Sequence, residues 1–160
     1  MAVEVRQAPE QERALIKSLM IPYIAELQQY EDRPGAYNGL PAQLPLYWSN
    51  PDYYPFTIWS DGQFVGFGLV RRTCVQTGTA MEVDEFFIKP EYECQGIGTA
   101  AAVWIWKKFP GKWELAVTKK NAKAVSFWSK CIRDHSLFFE EPEEFPSRGG
   151  CRLRFLFEVQ

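Results

Sequence analysis

Gly96 and Gly98, two residues apart, carry the sharpest chemical signal in this 160-residue chain. They lie in Glu93-Cys94-Gln95-Gly96-Ile97-Gly98-Thr99, immediately before a helical pattern. Residues without a side chain let a backbone turn tightly and come close to a ligand. A helix starting behind such a loop points free N–H groups and its positive dipole end outward, which is the geometry that holds a phosphate or pyrophosphate. No Gly-Lys-Ser/Thr follows, so this is not a P-loop. Residue 101 is Ala, so it is not the dinucleotide G-x-G-x-x-G either. Taken alone, the pair also fits a bare turn.

Other chemistries have little to work with. Cys74, Cys94, Cys131 and Cys151 lie at least 20 residues apart with no C-x-x-C spacing, and His135 is the single histidine. No metal site is expected from that set, and no Ser-His-Asp or Cys-His triad. The net charge of −2 argues against a chain-wide nucleic-acid binder. The longest apolar run, residues 100–106, falls well short of the ~20 residues that span a bilayer. The opening residues lack the basic-then-apolar order of a signal peptide, so a cytoplasmic protein is expected. Charge is unevenly placed. Between Lys107 and Arg133 there are eight basic residues and one acid, Glu114, a field that would attract a polyanion.

The elements that must position the glycine loop read as follows. Val3 to Gln7 alternates as a strand. Pro9 opens a helical stretch with Leu15, Ile16, Leu19, Met20, Ile24 and Leu27 at helical spacing, and Pro22 is expected to break or kink it into two helices. From Tyr30 to Pro55 the pattern dissolves into prolines, glycines and aromatics, a stretch longer than a plain connector. A hairpin follows, Phe56–Ser60 and Gln63–Val70 around Asp61-Gly62, then a second through Gly78 that returns as Met81–Lys89. The glycine loop opens a helix that Pro110-Gly111 stops. Trp113–Thr118 reads as a strand, Asn121 as the cap of a helix to about Cys131, Glu140–Gly150 as an acidic loop, and Cys151–Val159 as a final strand. The order is that of one mixed α/β domain over residues 1–160, with a hydrophobic share of 46% that excludes general disorder.

These motifs resemble the GCN5-related N-acetyltransferase (GNAT) superfamily. Glu93 to Gly98 stands at its Q/R-x-x-G-x-G/A signature. Asp84-Glu-Phe-Phe-Ile-Lys-Pro-Glu-Tyr is similar to the strand that runs into that loop. Asn121-Ala-Lys-Ala-Val-Ser-Phe-Trp resembles its N-x-x-A-x-x-F/L-Y helix. The specific motifs lie between about Glu82 and Trp128, while the strand order covers nearly the whole chain. The resemblance implies an α/β (α+β) fold with a mixed, mostly antiparallel sheet flanked by helices, its fourth and fifth strands splayed. It implies acetyl-CoA as co-substrate and no metal. The amides of Cys94, Gln95, Gly96, Ile97, Gly98 and Thr99 would hold the pyrophosphate. The main chain at Phe87 and Ile88 would pair with pantetheine, and Asn121 and Trp128 would border it. The basic stretch from Lys107 would suit the phosphates.

The implied reaction is direct attack of a primary amine on the thioester in a ternary complex. The amine must lose a proton, and the fourth strand offers Glu82, Asp84 and Glu85 as bases. Alternation puts Glu82 and Asp84 on one face and Glu85 on the other unless a bulge intervenes. Two positions depart from the pattern. Glu93 replaces Gln or Arg, placing a carboxylate near a pyrophosphate. Trp128 replaces the tyrosine that protonates the thiolate, and an indole cannot act as an acid. Ser126, Ser129, Cys131 or water are the remaining sources of that proton. The alternative reading is a non-catalytic acyl-CoA-binding module on the same fold.

The acceptor, a small amine or peptide, would enter past Tyr30, Glu31, Asp32, Tyr37 and Trp48, with Tyr53 and Tyr54 nearby. Their acids and rings suit a cation. No nucleic acid or membrane partner is expected. A homodimer, as in relatives, would use the final strand as its pairing edge.

Overall fold

The computed structural model describes residues 2–32, 39–75, 78–147 and 149–160. Among the described residues, eight strands and three α-helices follow in the order β1 (Val3–Gln7), α1 (Arg13–Gln28), β2 (Tyr53–Ser60), β3 (Gln63–Val75), β4 (Gly78–Ile88), α2 (Ile97–Lys108), β5 (Gly111–Thr118), α3 (Ala122–His135), β6 (Phe138–Phe139), β7 (Glu143–Ser147) and β8 (Gly150–Val159). The strands form one sheet in the order β1-β2-β3-β4-β5-β8-β6, with β7 also on β8. Every pairing is antiparallel except β4 with β5. This is the mixed, mostly antiparallel sheet flanked by helices that the sequence implies.

Two apolar layers fix the sheet. On one face α2 and α3 bury Ala101, Ile105, Trp106, Trp128 and Ile132 against Phe56, Val70, Val83, Trp113 and Phe157. On the other, α1 and the turn Leu44–Trp48 bury Ile16, Leu19, Met20, Ile24, Leu44 and Tyr47 against Phe67, Leu69 and Phe87. The α1 residues recur at the three- and four-residue spacing that makes a single buried stripe.

Four expectations change. Pro22 does not divide α1, which runs unbroken from Arg13 to Gln28. Pro22 and Ser18 both lie on the exposed face, so water can satisfy the Ser18 carbonyl that the missing N–H leaves free. The tract from Glu140 to Gly150 is not all loop. Glu143–Ser147 pairs with Gly150–Arg154 as a tight hairpin. β8 is not a free pairing edge, because β6 and β7 of the same chain cover the side away from β5. Lastly, β4 carries a bulge. Val83 pairs with Val70 and Glu85 with Leu69, which leaves Asp84 as the extra residue.

Candidate active site

The bulge stands where β4 and β5 part. Their parallel ladder covers only Met81–Val83 against Trp113–Leu115, while β5 continues to Thr118 and β4 to Ile88. Beyond the ladder the two strands diverge around a cavity of about 670 Å³. The Lys89 N–H bonds to the Val65 carbonyl at 2.8 Å. By antiparallel alternation, Phe87 therefore turns its main-chain groups toward β3, and Phe86 and Ile88 turn theirs into the open slot. A slot edged by such groups accepts an extended amide chain as an added strand.

The glycine loop closes one end of the cavity. Gly96 caps α2 with φ of 83°, a left-handed conformation that suits glycine. Gly98 is tightly placed for a different reason. A Cβ there would meet Phe127 of α3 at 3.1 Å. The first helical bond runs from Ala100 N–H to Gly96 O, so the N–H groups of Ile97, Gly98 and Thr99 lie ahead of the ladder. Asn121 caps α3, its Oδ1 accepting from Ala124 N–H at 3.1 Å, and borders the same cavity. Phe86, Phe127 and Trp128 pack ring on ring beneath the slot, with Phe86 to Trp128 centroids 5.1 Å apart. Trp128 is buried, and an indole N–H cannot act as an acid.

The bulge brings all three carboxylates of β4 to the α1 face, so Glu85 does not point away from Glu82 and Asp84. Arg71 on β3 pairs with Glu82 at 3.2 Å and with Asp84 at 3.4 Å. The Tyr47 hydroxyl donates to Asp84 at 2.5 Å. Burial, then the adjacent Asp84 charge, pushes the Tyr47 hydroxyl far above its ordinary range, so it keeps its proton. Glu85 instead accepts a short hydrogen bond from Tyr23 of α1. Burial pushes Glu85 up to about 7 against the lowering effect of that bond. Burial likewise pushes Glu82 up to about 7, with Arg71 opposing. A carboxyl that titrates near 7 can exchange protons at neutral pH.

Of the residues singled out from sequence, Glu82, Asp84, Glu85, Phe87, Ile88, Cys94, Gly96, Gly98, Thr99, Asn121 and Trp128 line the cavity. Gln95 and Ile97 do not. Gln95 donates to the Glu91 carbonyl and Ile97 is buried in the core. Tyr30, Glu31, Asp32 and Trp48 of the acceptor set do not line the cavity themselves, although the Thr118 partner of Glu31 does. Glu31 accepts from Thr118, Asp32 pairs with Lys120, and Trp48 donates to the Ala8 carbonyl under the Arg13 guanidinium. The Tyr30 N–H bonds to the Leu27 carbonyl at the end of α1, and Tyr37 is outside the described residues. Cys131 is buried beside Thr99 and pushed up to about 12 by burial, which removes it as an acid at neutral pH. Most of the basic stretch is taken as well. Lys119, Lys120, Lys123, Lys130 and Arg133 all pair with acids, and of these only Lys123 reaches the cavity. Sequence reasoning missed Tyr23, Glu26 and Arg152, and reached Lys123 only as one member of the basic stretch. Spacing along the chain holds no signal for them, since they reach the site through α1, α3 and β8.

Residues 15–131 match the family model described as the acetyltransferase (GNAT) family. No curated protein sequence matches significantly. Solved structures share the fold at low identity. Arabidopsis thaliana NAA60, in complex with a bisubstrate analogue, is 11% identical with a TM-score of 0.70, covering 99% of each chain. Spermidine N-acetyltransferase from Vibrio cholerae, in complex with CoA and spermine, is 14% identical with a TM-score of 0.69, covering 98% of this chain and 95% of that one. The ribosomal-protein-S18-alanine N-acetyltransferase of Escherichia coli is 14% identical with a TM-score of 0.63, covering 99% and 95%.

Proposed function

The chain belongs to the GNAT acetyltransferase family, and on that premise we propose that it moves an acetyl group from acetyl-CoA to a primary amine by direct attack in a ternary complex. The observation that carries this reading is the slot itself. An unpaired edge of β4, an amide-lined turn at Gly96–Thr99 and a capped α3 converge on one cavity. The turn suits the pyrophosphate and the strand edge suits the pantetheine amides.

Glu85 is the base in this reading. It lines the cavity on the α1 face, held by Tyr23. As the amine nitrogen bonds to the thioester carbon, its proton passes to Glu85. The tetrahedral intermediate then collapses, the carbon–sulfur bond breaks with its electron pair staying on sulfur, and the coenzyme A thiolate takes a proton from water. Slot-facing N–H groups of Phe86 or Ile88 stabilise the oxyanion. Asp84, committed to Tyr47 and Arg71, shapes the strand. Glu26, Glu82 and Glu85 favour an acceptor that carries positive charge, whether a small amine or a peptide.

Trp128 and Glu93 favour the second reading, an acyl-CoA binder without turnover. Calorimetric titration with acetyl-CoA, followed by thiol release across an amine panel, separates the two. One equivalent bound with thiol release supports the transferase. Binding without release on any amine supports the binder, and no binding at millimolar ligand sinks both.

A further inference from the structure

Lys123 projects from the first turn of α3, and its Nζ lies 2.8 Å from Glu26 Oε1 on α1 and 3.1 Å from both oxygens of Glu93 in the loop before α2. All three residues line the cavity that Gly96, Gly98 and Thr99 close. One ammonium thus ties three elements together at the rim, beside the N-terminus of α2. Lys119, Lys120 and Lys130 are each shown with one acid and lie outside the cavity. Lys123 is shared by two. The pair of carboxylates leaves the rim with a net negative charge where the proposed function seats a pyrophosphate.

Resting on that reading, we infer that Lys123 is a pyrophosphate-binding cation held in reserve by Glu26 and Glu93. An arriving pyrophosphate repels both carboxylates and competes for the ammonium. Lys123 then turns from the acid pair to the phosphates. Until the pyrophosphate arrives, Glu93 is partly neutralised by Lys123. The arrangement has a cost in affinity, since binding must first break contacts with two acids on different elements.

The test is calorimetric titration with CoA at fixed ionic strength. The variants are K123M, E93Q, E26Q and E26Q/K123M. K123M should weaken binding about 3- to 10-fold, and E26Q and E93Q should each tighten it about 2- to 5-fold, the range set by partly exposed ion pairs. Both substitutions also remove direct repulsion, so the K123M background decides. The gain of E26Q must be smaller there than in the presence of Lys123. An unchanged affinity in E26Q overturns the inference, as does equal tightening with and without Lys123, which would indicate plain charge repulsion. If wild-type protein binds no CoA, the cofactor reading itself fails and the latch falls with it.

Discussion

The Tyr23 hydroxyl donates to Glu85 Oε2, joining α1 to the stretch of β4 that has no β5 partner. The two residues are 62 positions apart in sequence. The bond stabilises the carboxylate form against burial, which pushes Glu85 up to about 7. A base must be deprotonated to work, so the rate should climb with pH through about 7. E85Q should lower kcat/KM by about 10² to 10⁴-fold and erase that limb. Y23F should shift the limb to higher pH, slow at pH 7 and converging on wild type at pH 9. A Y23F profile that superimposes on wild type would remove Tyr23 from the proton chemistry.

Stability should show the same two carboxyls with the opposite sense. Glu82 and Glu85 titrate near 7 in the fold, against an ordinary 4.5. Between those values the folded protein retains protons that the unfolded chain has lost. Their contribution is therefore fullest below pH 4.5 and declines as pH rises through 7. E85Q, which carries no charge to bury, should melt higher than wild type at pH 8 and close to it at pH 5. Thermal unfolding at the two pH values checks this. A gain confined to pH 5 would refute the assignment.

Much of the scaffold was legible because local chemistry dictates it. Asp61-Gly62 makes a tight turn, Asn121 caps a helix, and Gly96 and Gly98 mark a strand–loop–helix junction wherever they occur. The bulge at Asp84 left no such mark. It needs no special residue, and strict alternation along β4 therefore put Glu85 on the wrong face. Pro22 misled for a related reason. Its cost depends on whether water reaches the Ser18 carbonyl, which is a property of the folded surface. Tyr23, Glu26 and Lys123 carry no motif at all. Their part in the cavity arises from how α1 and α3 cross the splayed strands. The acids of the Tyr30–Pro55 region were visible but not their partners. Glu31 and Asp32 bind Thr118 and Lys120 at the end of β5, so Glu31 reaches the cavity only through Thr118.

The two glycines should fail differently when replaced. At Gly96 nothing lies within 4 Å of an added Cβ, but φ is 83°. G96A should cost about 1–2 kcal/mol through backbone strain alone. At Gly98 the backbone is helical and the added methyl meets Phe127 at 3.1 Å and 3.2 Å. G98A should displace that ring, which packs beside Phe86 under the slot, and weaken acetyl-CoA binding more than its change in melting temperature suggests. Paired thermal melts and titrations distinguish strain from obstruction. Wild-type cofactor affinity in G98A would mean that Phe127 has room to move away from the ligand.

Asp84 should behave as a structural acid even though it stands between two titrating glutamates. Its Oδ2 accepts from Tyr47 at 2.5 Å and faces the Arg71 guanidinium at 3.4 Å. Tyr47 keeps its proton because burial and the Asp84 charge both hold it there. To take a proton from an amine, Asp84 would have to give up one of these partners inside a half-closed site. D84N should therefore lower stability by about 1–3 kcal/mol, since Arg71 would lose one of the two carboxylates it pairs with. It should leave the pH–rate limb near 7 in place. If D84N instead abolishes that limb while the protein melts as wild type, Asp84 is the base and Glu85 its support.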